Sequence, residues 1–287
     1  MSLDALLPSS IDGLMLGFVY GLAAMGLTLI FGVMKVINLA HGPVIALGMF
    51  TVLVLSQSLG VNPYLGLIAA VVLGLAFGVV MYFVAVDRVI NAPELTTLLA
   101  TFSVNLMVIG IATVVFTTSP RALDIDLGAF RSGAVTVLGT RVVAVVVAIV
   151  AAAALYGFLF RTRTGKSIRA VANNRSAAEL MGIDSRRMLA LSFGIGTSLA
   201  MLSGALLSTL FSFTVLSGTT YEVKSFVIVV LGGLGNPTGA LLGGIILGLL
   251  EGVSTVVMPV AWVPIFEYVI FVAILLLKPD GLLGSRG

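Results

Sequence analysis

The residues that most often perform chemistry in proteins are scarce in this sequence of 287 residues. It has one histidine, His41, and no cysteine, so a Ser-His-Asp triad has a single candidate base and neither a thiolate nor a histidine metal site is expected. The carboxylates are too scattered to suggest hydrolysis. The sequence therefore predicts no catalytic residue, no metal site and no cofactor in this chain, and it favours a protein that is not an enzyme.

Two nucleotide-binding patterns are incomplete. The tripeptide GKS that begins at Gly165 is the end of a phosphate-binding loop, but Phe160 stands where that motif requires its first glycine. The pattern G-x-G-x-x-x-G that begins at Gly233 is one residue too long for a dinucleotide fingerprint. We therefore expect that this chain neither binds nor hydrolyses ATP. The net charge of +3 is not a nucleic-acid signal because it comes mainly from one loop.

Composition places the chain in a membrane. Hydrophobic residues make up 59% and charged residues 9% of it, whereas charged residues are about a quarter of a soluble globular protein. Because about 20 apolar residues cross a bilayer as a helix, we expect an all-α polytopic membrane protein, a single domain over residues 1–287 with eight or nine spans. The expected spans cover residues 13–34, two crossings within 36–86, then 95–116, 142–160, 188–211, two short pieces at 223–233 and 238–256, and 264–277.

Glycine, asparagine and proline interrupt the apolar sequence at residues 38–43 and again at 232–237. Each interruption follows a Val- and Ile-rich run and leads into a Gly- and Ala-rich segment. If the two correspond, each half of the chain contains a discontinuous helix whose positive N-terminal end points into the bundle, as in transporters built from internal repeats. The alternative is close packing of glycine-rich spans. The pattern also leaves open whether residues 225–258 make two crossings or include a re-entrant segment.

Polar and glycine residues near these interruptions, or deep in the spans, are the candidates for a translocation path. His41 could contact a solute, or it could cap the following helix near the cytoplasmic surface, which is the role we favour. Asparagine within a span more often joins or caps helices than binds a ligand, and Glu251 could lie at a solvated helix end. The candidates are Asn38, His41, Gly42, Asn105, Gly232, Gly233, Gly235, Asn236 and Glu251.

One long polar segment, residues 161–187, stands between apolar stretches. It carries seven of the fifteen Lys and Arg residues against only Glu179 and Asp184. Because basic residues accumulate in short cytoplasmic loops, the segment is expected in the cytoplasm. The same rule favours an N-terminus outside, and Lys278 and Arg286 favour a cytoplasmic C-terminus.

Within this segment the sequence predicts a short surface helix over residues 177–181. Ser176 and Glu179 have the spacing of a capping box, and Gly182 stands where a helix would end. Such a helix could dock a partner. Alternatively, the basic segment only holds anionic lipid and enforces topology.

Four segments give the sequence a resemblance to a known family. They are GLAAMGLTLIFGVMKVINLAHG (21–42), GKSIRAVANNRSAAELMGID (165–184), VVLGGLGNPTGALLGGIILGLLE (229–251) and KPDGLLG (278–284). In matching order and over nearly the full length, they resemble the permease subunit of branched-chain amino acid ABC importers. One departure is Pro43, where members of the family often have an acidic residue after the HG pair, and this leaves the solute open.

The resemblance implies a permease that imports branched-chain amino acids across a bacterial plasma (inner) membrane by alternating access. Its implied partners are a second related permease in a heterodimer, two ATP-binding cassette subunits that hold ATP and Mg, and an external solute-binding protein. The short helix would be the coupling helix, seated in an ATPase groove. Its implied coupling residues are Arg169, Asn173, Ser176, Ala177, Glu179, Leu180 and Gly182.

Two other functions stay open at this point. The same architecture could import urea or a short amide, because solute choice is expected to rest with the binding protein. A protein of another class, a channel or an ion-coupled carrier that works alone, would need paired charges within the membrane. The spans show no convincing pair, and such a protein leaves the cytoplasmic helix unexplained.

Overall fold

The computed structural model describes residues 5–132, 135–278 and 281 of the chain. Within these residues, eight helices are long and apolar enough to cross a membrane, which agrees with the lower expected number. The prediction of an all-α polytopic membrane protein is confirmed. Most of the ending KPDGLLG, together with Arg286, lies outside the described residues.

The helices and one hairpin follow in simple order. The helices are α1 (Leu6–Met34), α2 (His41–Leu59), α3 (Pro63–Met81, continued by a π-helix over Tyr82–Val86), α4 (Glu94–Phe116), α5 (Gly139–Arg161), α6 (Arg163–Asn173), α7 (Arg175–Leu180), α8 (Ser185–Ser208), α9 (Ser217–Gly232), α10 (Pro237–Val257) and α11 (Val263–Leu277, after a 3-10 turn at Val260–Trp262). An antiparallel hairpin of β1 (Ala129–Ser132) and β2 (Val135–Leu138) lies between α4 and α5. Because α5 begins at β2 and ends at α6, the bundle has a hairpin end and an α6–α7 end.

The block at residues 225–258 consists of one short helix and one crossing. Helix α9 has 16 residues, fewer than the roughly 17–25 that span a bilayer, whereas α10 with 21 residues is long enough. The spans expected at 188–211 and 223–233 leave residues 212–222 between them, but α9 already begins at Ser217 and buries Glu222.

Glycines set the closest helix contacts in the bundle. Along α1 and α10, a Cβ added at Gly21 would meet Leu241 backbone at 3.0 Å, and one added at Gly17 would meet the Gly244 carbonyl oxygen at 2.7 Å. On the other side of the bundle, a Cβ at Gly74 of α3 would lie 2.7 Å from Ser198 of α8. Without a hydrophobic force between helices in lipid, such close approach is what holds spans together.

Helices α8–α10 repeat the packing of helices α1–α3, with α1 corresponding to α8, α2 to α9 and α3 to α10. Helix α1 packs on α10 as α8 packs on α3, and α1 crosses α8 where Gly26 and Gly196 meet. Helices α2 and α9 both begin inside the bundle, where Gly42 faces Gly218. The non-helical segments that lead into them, residues 35–40 and 209–216, are therefore counterparts. The expected match between residues 38–43 and 232–237 is wrong.

Candidate translocation and coupling sites

The break between α1 and α2 is a non-helical segment whose backbone is satisfied by α4. Thr101 Oγ1 donates to the Ile37 carbonyl at 3.2 Å and accepts from the Leu39 N–H at 3.3 Å, and Asn105 Nδ2 donates to the Leu39 carbonyl at 2.6 Å. Irregular backbone at membrane depth requires such partners. Asn105, a candidate for the path, thus has a structural contact. Asn38 is fully buried, and its Nδ2 has no hydrogen-bond partner among the described residues.

His41 lies far from the surface position that the sequence favoured. It is the first residue of α2, makes no side-chain cap, and its Nε2 lies 3.0 Å from the Ala23 carbonyl oxygen of α1. Ala23 precedes the end of α1 at Met34 by eleven residues, which is about 16 Å of helix. Because a carbonyl only accepts, Nε2 carries the proton, and the buried Nδ1 has no partner among the described residues.

A buried carboxylate that the sequence analysis missed faces the same helix start. The Gly42 backbone N–H donates to the Glu222 carboxylate, and Glu222 Oε1 has no partner in the described residues. The positive end of α2 favours a carboxylate there. Glu222 is 6% exposed, so a residue that falls between two expected spans belongs to the polar interior with Asn38, His41 and Gly42.

Three charges pair inside the bundle, which corrects the expectation that the spans hold no convincing pair. Lys224 Nζ of α9 lies 2.6 Å from Glu251 Oε2 of α10 and 3.1 Å from Glu267 Oε1 of α11. It also lies 4.9 Å from the ring centroid of Tyr20 on α1. Glu251 is therefore ion-paired rather than placed at a solvated helix end. The pairs join residues 27 and 43 positions apart, a separation that no local spacing reveals.

The turn between α9 and α10 contains four of the candidate path residues. Gly233 and Gly235 have φ of 93° and 83°, a region that favours glycine, and Gly232 packs against Gly239 at the start of α10. Asn236 accepts the Gly239 N–H at 3.1 Å and so caps α10. These residues form the turn and its cap.

A cavity of about 660 Å³ lies at the α6–α7 end, between α1, α5, α6 and this turn. It brings together residues assigned to two different roles. Arg169 and Asn173, expected for coupling, line it with Gly235 and Asn236, expected for the path. The polar interior around His41 and the charge pairs of Glu251 are not part of this cavity.

Helix α7 exists, but its cap differs from the prediction. Asn174, not Ser176, caps it, by accepting the Ala177 N–H at 3.0 Å. At its other end the Gly182 N–H donates to the Glu179 carbonyl oxygen and the Ile183 N–H donates to the Ala178 carbonyl oxygen. The positive φ of Gly182 fits this C-terminal motif. The helix covers Arg175–Leu180, and the eleven-residue α6 before it was not predicted.

Side-chain contacts tie α7 to the bundle. Arg175 Nε lies 3.1 Å from Glu179 Oε1 and donates to Ser185 Oγ of α8, and its Nη1 donates to Asn91 Oδ1 at 3.2 Å. Ser185 also donates to Glu179. Hydrogen bonds from Ser185 and Arg175 lower the pKa of the Glu179 carboxyl. The other coupling candidates on α7, which include Ala177, face outward.

A second ion pair joins α8 to the loop that precedes α4. Arg186 Nη2 lies 2.6 Å from Asp87 Oδ2, and its Nε also donates to this carboxylate. These hydrogen bonds hold the pKa of Asp87 below its ordinary value of 3.8. Helix α7 contacts the same two elements through Arg175, which donates to Ser185 of α8 and to Asn91 of the α3–α4 turn.

In the part of the chain that the structure describes, eight apolar helices, buried charges within the bundle and an ordered polar element at one end define a multi-pass membrane transport protein. The chain belongs to the family described as the branched-chain amino acid transport system / permease component, whose family model matches residues 9–277. It is therefore a permease component of the ABC transporter class.

Relatives match along almost the whole chain. The high-affinity branched-chain amino acid transport system permease protein LivH of Escherichia coli (strain K12) is 28% identical, with 95% of this chain and 94% of the relative covered. The corresponding permease protein BraD of Pseudomonas aeruginosa is also 28% identical, with 96% and 94% covered. The probable branched-chain amino acid permease LivH of Methanocaldococcus jannaschii is 29% identical, with 92% and 88% covered. No solved structure matches the chain.

Proposed function

We propose that this chain is the membrane-spanning permease of an ATP-driven importer of branched-chain amino acids. The observation that carries the proposal is the tip of α7, where Leu180 is 88% and Met181 83% exposed. Two large apolar side chains on a capped polar element suit insertion into an apolar groove of a partner. Family membership supports an ATPase as that partner.

The contacts of α6 and α7 with the rest of the bundle suit these two helices to transmit motion. Ile168 and Val171 of α6 and Ala178 of α7 are buried, while the contacts of Arg175 reach α8 and the loop before α4. A movement of a docked ATPase would therefore displace α8, the most buried candidate span. Transmission requires two arrangements of the bundle between which docking selects, which is alternating access.

The charge distribution supports an orientation. With seven cations in residues 161–187, the α6–α7 end faces the cytoplasm of a bacterial cell, which places the N-terminus and the hairpin outside and the C-terminus inside. The coupling loop is then cytoplasmic and residues 1–287 form one permease domain.

The partners follow from the surfaces. Two ATP-binding cassette subunits, which hold ATP and Mg, dock at the α6–α7 end, and a solute-binding protein docks at the hairpin end. A second related permease pairs with this chain, supported by the low burial of two spans: 17% of the most apolar stretch of α4 and 11% of Val260–Leu277 is buried inside the bundle. The remaining apolar surface contacts lipid, as expected for a multi-pass protein.

The solute belongs to the proposal as well. The names of the relatives favour branched-chain amino acids, and the polar interior at His41, Gly42 and Glu222 offers both a carboxylate and a helix N-terminus at membrane depth. Urea or a short amide is the alternative within the same architecture, because Pro43 stands in the first turn of α2, where family members often carry an acid.

An ion-coupled carrier is a second candidate, favoured by one observation. Such a carrier needs paired intramembrane charges, and Lys224 with Glu251 and Glu267 provides them. Helix α7 favours the importer instead, because a protein that works alone has no need of an exposed apolar tip on its cytoplasmic side.

The test is uptake of labelled leucine into proteoliposomes that contain this chain with its partner permease, ATPases and binding protein. We expect uptake to require ATP and to be lost in Leu180→Glu but kept in Leu59→Glu, an exposed leucine at the opposite end of the bundle. Both variants must insert and assemble as the parent does. Urea uptake under the same conditions would assign the alternative solute. Uptake by the chain alone, driven by an ion gradient and indifferent to ATP, would refute the importer and favour the carrier.

A further inference from the structure

The 660 Å³ cavity at the α6–α7 end has the volume of a small-molecule site, for which roughly 300–1,000 Å³ is common. It lies within this one chain, and neither the charge pairs of Lys224 nor the polar interior at His41 reaches it. Much of its wall is aliphatic, with Leu29, Leu155 and Ile168 as examples. A ligand that fills it must therefore have an apolar body.

The charged side chains among the described residues of the wall are cations. Lys35, at the end of α1, and Arg169, on α6, line the cavity, and no Asp or Glu of the described residues does. Neither cation forms an ion pair with another described residue. Arg169 stacks 4.3 Å from the ring centroid of Phe160, and Lys35 lies 5.6 Å from that of Phe31. Aromatic rings fix both cations in place without neutralising them.

A buried hydroxyl of the wall also has no partner. Thr28 is completely buried, its Oγ1 makes no hydrogen bond among the described residues, and it lines the cavity. An unpartnered buried hydroxyl is unfavourable unless something fills the role of partner. The start of α10 at Pro237 lines the same space, so its positive end adds to the two cations.

We propose that this cavity binds a small molecule with one anionic group and an apolar body. The anion faces Lys35 and Arg169, an oxygen of it accepts from the Thr28 hydroxyl, and the aliphatic wall holds the body. A zwitterionic amino acid fits less well, because its ammonium group would enter a space whose described lining residues supply two cations and no carboxylate. The assignment goes beyond transport and does not depend on the solute that is carried.

Two sources supply this chemistry, a short branched carboxylate from the cytoplasm and the headgroup of an anionic phospholipid. For the carboxylate the probe is 4-methyl-2-oxopentanoate, the 2-oxo acid with the side chain of leucine. It is titrated calorimetrically into the full-length chain in nanodiscs of phosphatidylcholine alone. Leucine and leucinamide serve as the zwitterion and the cation with the same apolar body. For the lipid, the retention of phosphatidylglycerol against phosphatidylcholine is measured by native mass spectrometry.

We expect the acid to bind more tightly than leucine, leucinamide not to bind, and added salt to weaken the affinity because the cations are partly exposed. Arg169→Gln and Lys35→Gln should each weaken binding roughly tenfold, as expected for loss of a charged hydrogen-bond donor. Ala172→Trp fills the cavity while keeping both cations and should also abolish binding. The matched control is Lys166→Gln, an exposed cation on α6 that does not line the cavity, and it should bind like the parent.

Selective retention of phosphatidylglycerol that disappears in Arg169→Gln, without binding of the free acid, would assign the site to lipid and still support it. The proposal would be overturned if leucinamide bound as tightly as the acid, or if Lys166→Gln weakened binding as much as Arg169→Gln. It would also be overturned if the folded parent bound neither 4-methyl-2-oxopentanoate nor phosphatidylglycerol. Melting curves identify any variant that does not fold, and Lys35 and Ala172 then supply independent variants. Because no transport is measured, failure of the uptake assay and failure of this site are separate results.

Discussion

Replacing Lys224 by methionine should destabilise the protein by about 3–5 kcal/mol, the usual cost of removing one partner from a buried ion pair. The side chain of Lys224 is 12% exposed and that of Glu267 is 4% exposed, so the Glu267 carboxylate gains little water when the lysine is lost, whereas Glu251, at 23%, is partly hydrated. Methionine preserves most of the volume, which means that the loss reports the stranded charges rather than a cavity. Glu267→Gln alone should cost less, because Lys224 and Glu251 still pair.

The assay is equilibrium unfolding by SDS titration in micelles, followed by circular dichroism. The decisive variant combines Lys224→Met with Glu251→Gln and Glu267→Gln, and it should recover most of the stability, because a neutral set replaces the charged one. Lys166→Met, at an exposed cation of α6, is the control and should change stability by less than about 0.5 kcal/mol. If Lys224→Met is as stable as the parent, or if the triple variant is no better than the single one, the three charges do not form a coupled buried network.

Three further predictions concern packing, capping and pH. Gly196→Ala should destabilise the protein by about 1–3 kcal/mol in the same titration, because its Cβ would meet the Gly26 carbonyl oxygen at 2.6 Å. Gly157→Ala, with nothing within 4 Å of its Cβ, is the control and should be neutral or stabilising. Equal effects of the two substitutions would contradict the close crossing of α1 and α8. Asn174→Ala should destabilise α7 by about 1 kcal/mol and speed its amide hydrogen exchange, while Ser176→Ala should do neither. A larger effect of Ser176→Ala than of Asn174→Ala would show that Ser176 is the cap instead. Because the pKa of Asp87 is lowered in the folded state, its contribution to folding stability is complete above about pH 4 and is lost as the pH falls further. Asp87→Asn should therefore be less stable than the parent at neutral pH, and this difference should vanish in acid. A stability difference that grows in acid would contradict the ion pair.

Sequence reasoning found the spans because membrane helices carry their signal locally. About 20 apolar residues suffice to indicate a crossing, and α1 does end at Met34 with Lys35 in the left-handed region. The same logic was indecisive for α9, because a helix of 16 residues satisfies no span criterion and starts inside the protein. Its position depends on what surrounds Gly218, and no local pattern contains that information.

The candidate sites show the same limit at the level of side chains. Ser176 and Glu179 have the spacing of a capping box, but the local backbone begins the helix two residues earlier and places Asn174 at the cap. Lys224 was overlooked because a single lysine beside an apolar run resembles a span boundary. The partners of Lys224 are Glu251 and Glu267, which lie on α10 and α11 later in the chain.

The repeat shows why a proline pattern misled. Pro43 and Pro237 both occupy the first turn of a helix, which is where proline costs least whatever the surrounding fold. The shared feature therefore reports helix starts, not equivalent positions. What makes two segments equivalent is their environment: α2 and α9 begin against each other at Gly42 and Gly218, whereas α10 begins at the cavity beside α1. Two helix starts that meet inside the bundle place Glu222 of one beside Gly42 of the other, so the polar interior is a product of the repeat itself. A change at either glycine should disturb both halves, since a Cβ at Gly42 would meet the Glu222 side chain and the Gly218 carbonyl oxygen, and one at Gly218 would meet the Gly42 carbonyl group.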